Sequence, residues 1–375
     1  MTAKPTDPEA PVFVTRPALP PLDELLPLLQ QIWQNRIVTN GGPMLQQFEA
    51  ALADYIDCPH ISIVANATLG LMLALRHAGV TGEVITTPFS FVATSHAALW
   101  NGARPVFVDI DPATLNIDPA AIERALTPAT QAILAVHCFG RACDLDAIES
   151  IARPRGIRVI YDAAHAFGVT TPHRNLLAAG DLSVLSFHGT KVFNTFEGGA
   201  IVSASRADKL AIDRLVNYGI VEEGVVETTG FNAKMSEFGA ALGLVQLRHV
   251  AGYIAARAAL DTRYRELLDG IPGVSPLPLP PGQAANYYAF PILLDRDFPL
   301  TRDQLQQHLR SHGIMARRYF HPALSELPMY RQFAPQDPQA LRHSRDTCNR
   351  ILVLPLYHDL AMQDVARIAR LIRTA

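Results

Sequence analysis

Through its middle the chain alternates short, continuously apolar, β-rich runs with helical stretches, and this constrains its fold more than any other feature. The runs are E-V-I-T-T around Val84, P-V-F-V-D around Val106, A-I-L-A-V around Leu134, I-R-V-I-Y around Val159, V-L-S-F from Val184 to Phe187, and A-I-V ending at Val202. A strand that is apolar at consecutive positions has both faces covered, and helices between such strands imply a mainly parallel sheet with right-handed crossovers. The fold class is therefore α/β, with helices on both faces of a central sheet.

Helical patterns from Leu22 to Trp33 and from Met44 to Ile56 precede the alternation, and a long one follows Asn232 to about Leu268. The stretch Pro272 to Gly282 is too proline-rich for a helix or an interior strand and reads as a linker or an edge. A strand from Tyr288 to Leu294, a helix from Arg302 to His312 and a C-terminal helix after Ala361 complete the chain. The expected division is a large α/β domain with an N-terminal arm over residues 1–250, and a smaller α+β domain over 251–375.

With 375 residues, 49% of them hydrophobic and 18% charged, the chain can bury an extensive core. A net charge of −3 supplies no basic field for nucleic acid or an anionic membrane. The four cysteines, Cys58, Cys138, Cys143 and Cys348, form no C-x-x-C pair and read as reduced thiols. The N-terminus carries prolines and acids where a signal peptide needs an apolar core, and no apolar run is long enough to span a bilayer. A cytoplasmic protein is expected, with no nucleic-acid or membrane partner and no metal.

The stretch S-F-H-G-T-K-V-F-N-T-F-E-G-G-A-I-V, Ser186 to Val202, places one lysine, Lys191, between two strand-like runs. Burial lowers the pKa of a lysine and frees the neutral amine that Schiff-base chemistry needs. A loop lysine that snorkels to solvent fits the stretch as well. Schiff-base chemistry on pyridoxal phosphate requires companions: an acid for the ring nitrogen and a nest of amides and hydroxyls for the phosphate.

Asp162 ends the run I-R-V-I-Y-D, where open α/β sheets hold ligands, though an aspartate there also suits an N-cap. His165, three residues on, can reach a cofactor's phenolic oxygen or be a satisfied structural group. At Asn66-Ala67-Thr68 a strand pattern becomes a helical one, an anion-binding helix N-terminus or plain capping. Ser186 is a second phosphate donor candidate, and Phe89 or Phe91 can lie against a planar ring or simply pack.

The order of these signals, together with T-N-G-G-P (Thr39 to Pro43), P-V-F-V-D-I-D-P, A-V-H-C-F-G-R-A-C-D-L-D-A-I, D-A-A-H-A, S-F-H-G-T-K…E-G-G, G-F-N-A-K-M-S-E-F-G-A-A-L-G-L-V-Q-L and V-L-P-L-Y, resembles the DegT/StrS sugar-nucleotide aminotransferases, which are fold-type I pyridoxal phosphate enzymes. The resemblance covers nearly the whole chain.

It implies that Lys191 is the Schiff-base and proton-moving lysine. It implies further that Asp162 holds the ring nitrogen and His165 the phenolic oxygen, that Ala67, Thr68 and Ser186 bind the phosphate, and that Phe91 flanks the ring. Asn232 would reach the phosphate of a neighbouring subunit in a homodimer whose active sites are shared. Glutamate would be the donor and a nucleotide-diphosphate keto-sugar the acceptor. S-F-H before the lysine and E-G-G after it resemble the branch that aminates C4 of 4-keto-6-deoxy sugars. A C3 aminotransferase and a dehydratase on the same scaffold are the alternatives. His188, Tyr319 and His321 are the candidate sugar-nucleotide contacts. The sequence departs from the family with N-A-T where many relatives have S-G-T, and with Tyr161 where Glu is commoner.

Overall fold

The structure is a computed structural model that describes residues 10–375; the prolines and acids of the first nine residues lie outside it. Two amphipathic helices, α1 (Leu22–Asn35) and α2 (Pro43–Ile56), lead into a seven-stranded sheet. Its strands are β1 (Ile61–Val64), β2 (Glu83–Thr86), β3 (Arg104–Phe107), β4 (Thr130–Val136), β5 (Arg158–Asp162), β6 (Leu182–Ser186) and β7 (Gly199–Ser203). They lie in the order β1-β7-β6-β5-β4-β2-β3. β2 to β6 pair in parallel, and β7 runs antiparallel to both β6 and β1. The apolar runs thus mark the strands, and the mainly parallel sheet is as expected. β7 reverses without a crossover helix: the chain turns within residues 188–196, where Phe196 takes φ +64°, and Gly198 of E-G-G already accepts from the Phe187 amide as β7 begins.

Alternation within each strand divides its side chains between two cores. Ile133 and Ala135 of β4, Val159 and Tyr161 of β5 and Leu185 of β6 face the core that holds Phe48 and Leu52 of α2. Leu134, Ile160 and Val184 face the opposite core, with Leu71 and Leu75 of α3 (Ala67–His77) and Ile212 and Leu215 of α5 (Arg206–Val216). Between α3 and α5 in the chain comes α4 (Val92–Trp100), which follows β2. The central strands β5, β6 and β7 are buried on both sides apart from Arg158 at the start of β5, as their composition demands, whereas the edge strand β3 leaves Arg104 exposed and Val106 half-buried on one face.

The long helix α6 (Glu237–Leu268) starts at Ser236, whose side chain accepts from the Gly239 amide, and not directly after Asn232. Over about 48 Å at 1.5 Å per residue it joins two cores. Ala240, Ala241, Leu242 and Val245 pack into the sheet core, and Leu260, Tyr264 and Leu268 into a second one. The expected boundary at 250/251 falls inside this helix.

The second core is covered by an antiparallel sheet of β8 (Val274–Pro276), β9 (Phe290–Leu294) and β10 (Ile351–Leu354), with α7 (Arg302–Ser311) and α8 (Met362–Arg373). β8 is the edge strand, which is where Pro276 can be accommodated. Val12 belongs to this second core, and Val12–Phe13 pairs in parallel with Ile314–Met315. No described helix is long and apolar enough to cross a membrane.

Candidate active site

Register brings the strand ends together. Asp162 closes β5 opposite Val184 of β6, and Ser186 closes β6 opposite Gly199 of β7, which in turn faces Val64 at the end of β1. Two strand spacings, roughly 10 Å, therefore separate Ser186 from Val64, just before α3 begins. Gly199 permits the approach: a Cβ there would lie 2.7 Å from the Leu185 carbonyl oxygen and 2.9 Å from the Ala67 nitrogen.

Asn66 caps α3 by accepting from the Leu69 amide at 3.0 Å. The amides of Ala67 and Thr68 have no hydrogen-bond acceptor among the described residues. Free donors at a helix N-terminus, with the helix dipole behind them, suit an anion, and the Ser186 hydroxyl stands at a strand end two positions away in the sheet.

Asp162 is not a helix cap. Its buried carboxylate accepts from the Thr94 hydroxyl at 2.8 Å and from the Ala164 amide at 3.1 Å. No cation forms an ion pair with it among the described residues. Burial raises its pKa, opposed by those two hydrogen bonds and by the more distant Lys191 charge. A buried carboxylate that already has two donors but lacks a counter-charge is suited to a cationic ring nitrogen.

The Lys191 Nζ stands 3.4 Å from the Tyr288 hydroxyl and 4.9 Å from the centre of its ring. Burial lowers the lysine pKa from 10.5 to about 8, with Tyr319 and Asp162 pulling upward and Arg317 pushing further down. His165 accepts from the Phe139 amide through Nδ1 at 3.2 Å and stacks on Tyr288 at 4.0 Å. Burial, then the Lys191 charge, hold its pKa well below 6.5, so the ring is neutral with its proton on Nε2.

Lys191, His165 and Tyr319 thus meet through Tyr288, whose hydroxyl is 3.4 Å from that of Tyr319. Tyr319 also packs on Phe139, with the Arg317 guanidinium 5.1 Å from its ring centre. Phe91 is the N-cap residue of α4, three positions before Thr94, and is 58% exposed. Phe89, by contrast, is buried against Phe139 and Phe320.

Three expected contacts stand apart from this cluster. The exposed His188 side chain bonds Thr190 at 2.9 Å and lies 3.6 Å from Glu197. His321 faces the charges of Arg302, Arg318, Asp303 and Glu326. Asn232 is exposed and bridges to Asn217 through its backbone.

Sequence reasoning missed Thr94, Phe139, Asn286 and Tyr288. Thr94 was readable in principle, since a hydroxyl at the third position of a helix behind a strand end points back toward the sheet. Asn286 fixes the far side: its Nδ2 donates to the carbonyls of His165 and Phe167 at 2.7 and 2.9 Å, and its Oδ1 accepts from the Tyr288 amide at 3.0 Å. Gly140, at φ +77°, lies so close that a Cβ would meet the His165 carbonyl oxygen at 2.8 Å and Asn286 Oδ1 at 2.9 Å.

Residues 23–373 match the model of the DegT/DnrJ/EryC1/StrS aminotransferase family. The chain is 48% identical over 366 residues to a dTDP-4-amino-4,6-dideoxy-D-glucose transaminase of Shigella dysenteriae, covering 97% of this chain and 99% of that protein. It is 46% identical over 360 residues to an Escherichia coli protein of the same name, covering 96% and 97%. Among solved structures, DesI, crystallised in the presence of its TDP-sugar product, superposes with a TM-score of 0.93 at 36% identity, covering 98% of this chain and 93% of that one. The chain belongs to the DegT/DnrJ/EryC1/StrS aminotransferase family.

Proposed function

We propose that the protein is a pyridoxal 5'-phosphate-dependent transaminase that moves the amino group of glutamate onto C4 of a dTDP-linked 4-keto-6-deoxyhexose. The observation that carries the reading is the pairing of an amine whose pKa burial lowers to about 8, on the loop after β6, with a buried carboxylate at the end of the adjacent parallel β5 that has no ion-pair partner among the described residues. The names of the relatives at 46% and 48% identity support the sugar, its nucleotide and the C4 position over C3 amination or dehydration.

When bound, the cofactor supplies an aldehyde that takes up an amine and a ring that withdraws electrons from the adjacent carbon. Asp162 would keep a proton on the ring nitrogen. The Ala67 and Thr68 amides and the Ser186 hydroxyl would bind the phosphate, Phe91 would flank the ring, and His165 would donate from Nε2 to the phenolic oxygen. Lys191 would hold the cofactor between turnovers. During turnover, its neutral amine would move a proton between the donor's α-carbon and the cofactor.

His188, Tyr319 and His321 are assigned to the sugar nucleotide. Asn232 is assigned to the phosphate of the partner subunit in a homodimer, and the exposed Trp33, Val38, Val226 and Phe231 supply apolar surface for that contact. The reaction is assigned to the cytoplasm.

The test is incubation of the holoenzyme with glutamate and dTDP-4-keto-6-deoxy-D-glucose, followed by mass spectrometry and NMR. The expected products are 2-oxoglutarate and the 4-amino sugar nucleotide. Turnover of 3-keto substrates alone would overturn the C4 assignment, and consumption of sugar without 2-oxoglutarate would identify a dehydratase.

A further inference from the structure

We infer that Tyr288 is the positioning residue for the reacting amine: its hydroxyl accepts a hydrogen from Lys191 Nζ and donates its own to Tyr319, leaving the nitrogen lone pair free. The inference rests on the reading of Lys191 as the proton-moving amine, and it assigns a role to a residue outside the family motifs.

The hydroxyl is what needs explaining. The Tyr288 ring is buried and stacks on His165 at 4.0 Å with an interplanar angle of 16°, a contact a phenylalanine would make equally well. A buried phenol, however, needs a partner for its oxygen. Here the partners are Lys191 Nζ and the Tyr319 hydroxyl, each at 3.4 Å. Both distances are long for a hydrogen bond, as catalytic contacts often are before a ligand tightens the site. Among the described residues Tyr288 is the one side chain that hydrogen-bonds the Lys191 amine.

The position of Tyr288 is fixed from several sides. Its amide donates to Asn286 Oδ1 at 3.0 Å, and Asn286 in turn ties down the carbonyls of His165 and Phe167. The buried Arg257 of α6 donates to the carbonyls of Tyr287, Tyr288 and Leu356 at 3.3, 3.4 and 3.0 Å. A side chain held this firmly sets where a flexible lysine comes to rest, at a smaller entropic cost than the lysine would meet alone.

The groups around Lys191 leave the hydroxyl a distinct role. Asp162 and Tyr319 raise the lysine's proton affinity, Arg317 lowers it, and His165 is neutral. An accepting hydroxyl stabilises the ammonium each time the amine has taken up a proton. It also directs one N–H away from the reacting atoms when the amine is neutral.

Tyr288→Phe separates the hydroxyl from the ring. In the holoenzyme, kcat should fall about 10-fold while KM for glutamate and for the sugar nucleotide stays within about 2-fold, since a positioned proton carrier acts on the transition state. The isotope effect with α-deuterated glutamate should rise as proton transfer becomes more rate-limiting. In the cofactor-free full chain, acylation of Lys191 followed by mass spectrometry should show its midpoint near pH 8 moving down by roughly half a pH unit, because the ammonium loses an acceptor. A variant with wild-type kcat, isotope effect and labelling midpoint overturns the inference, as does one whose loss lies wholly in KM. If the wild-type enzyme itself releases no 2-oxoglutarate, the proposed function fails whatever the variant does, so the two failures are told apart.

Discussion

Lys191 and Lys209 are both partly buried, and their surroundings push them in opposite directions. Lys191 sits at the strand ends with aromatic rings around it and no carboxylate in ion-pair contact, and burial brings it down to about 8. Lys209, on α5, bridges Asp213 at 2.7 Å and Glu49 of α2 at 3.0 Å. Burial pulls Lys209 down too, but hydrogen bonds and charge from those two carboxylates more than offset it, and its pKa rises. Burial alone therefore does not mark a reactive lysine. What marks it is burial without compensation, which a chain tolerates only where something else uses the amine.

The largest test of this contrast is catalytic. Lys191→Met should lower 2-oxoglutarate release by at least about 10⁴-fold, since the variant loses both cofactor attachment and the proton carrier. Lys209→Met should leave turnover within about 2-fold. If both variants lose activity to the same degree, the distinction between the two environments has no functional content.

The contrast was only half legible in the sequence. Lys191 and Asp162 could be found because each follows an apolar run whose end a parallel sheet places on its ligand-binding edge. The direction of β7 was less open to reading, because an apolar run such as A-I-V carries no sign, and only the glycines before it hint at a reversal. Tyr288 could not be found: it is 97 residues from Lys191, and α6 and β8 must fold before the two approach. Nothing in N-Y-Y-A-F separates Tyr288 from Tyr287, whose φ of +52° turns the chain while its neighbour stacks on His165. Lys209 illustrates the same limit, since Asp213 lies one helical turn away and is visible in the sequence, whereas Glu49 reaches it only through the packed fold.

The next test is stability of the cofactor-free chain, where the same substitution should act with opposite signs. A lysine whose folded pKa lies near 8, against about 10.4 unfolded, costs stability below pH 8, and the cost disappears as pH rises toward 10.4. Lys191→Met should therefore stabilise the chain at pH 7 by about 2 kcal/mol after allowance for partial exposure, and the gain should vanish above pH 10. Lys209→Met removes a group whose raised pKa stabilises the fold at every pH below that of an ordinary lysine. It should cost about 1 kcal/mol at pH 7. Denaturant midpoints across pH 6.5 to 10.5 check both, and a loss of stability in Lys191→Met would show that the amine has a compensating partner after all.

The smallest test concerns the acid facing Lys191. Glu49 and Asp213 have a cation within 3.0 Å, but Asp162 has hydrogen bonds in place of one, and among the described residues its one side-chain donor is Thr94. Thr94→Val keeps the shape and removes that donor, so the Asp162 pKa should rise further above the ordinary carboxylate value. Less of the acid is then ionised to meet the ring nitrogen. Cofactor affinity at pH 7 should weaken about 5-fold, or about 1 kcal/mol, with a larger loss at pH 5.5 and a smaller one at pH 8.5, where ionisation is restored. Equilibrium binding of pyridoxal phosphate at the three pH values reads this directly. A uniform loss would place the role of Thr94 in packing. No loss would mean that the bound ring alone sets the charge of Asp162, and the contrast between compensated and uncompensated buried charge would then rest on Lys191 alone.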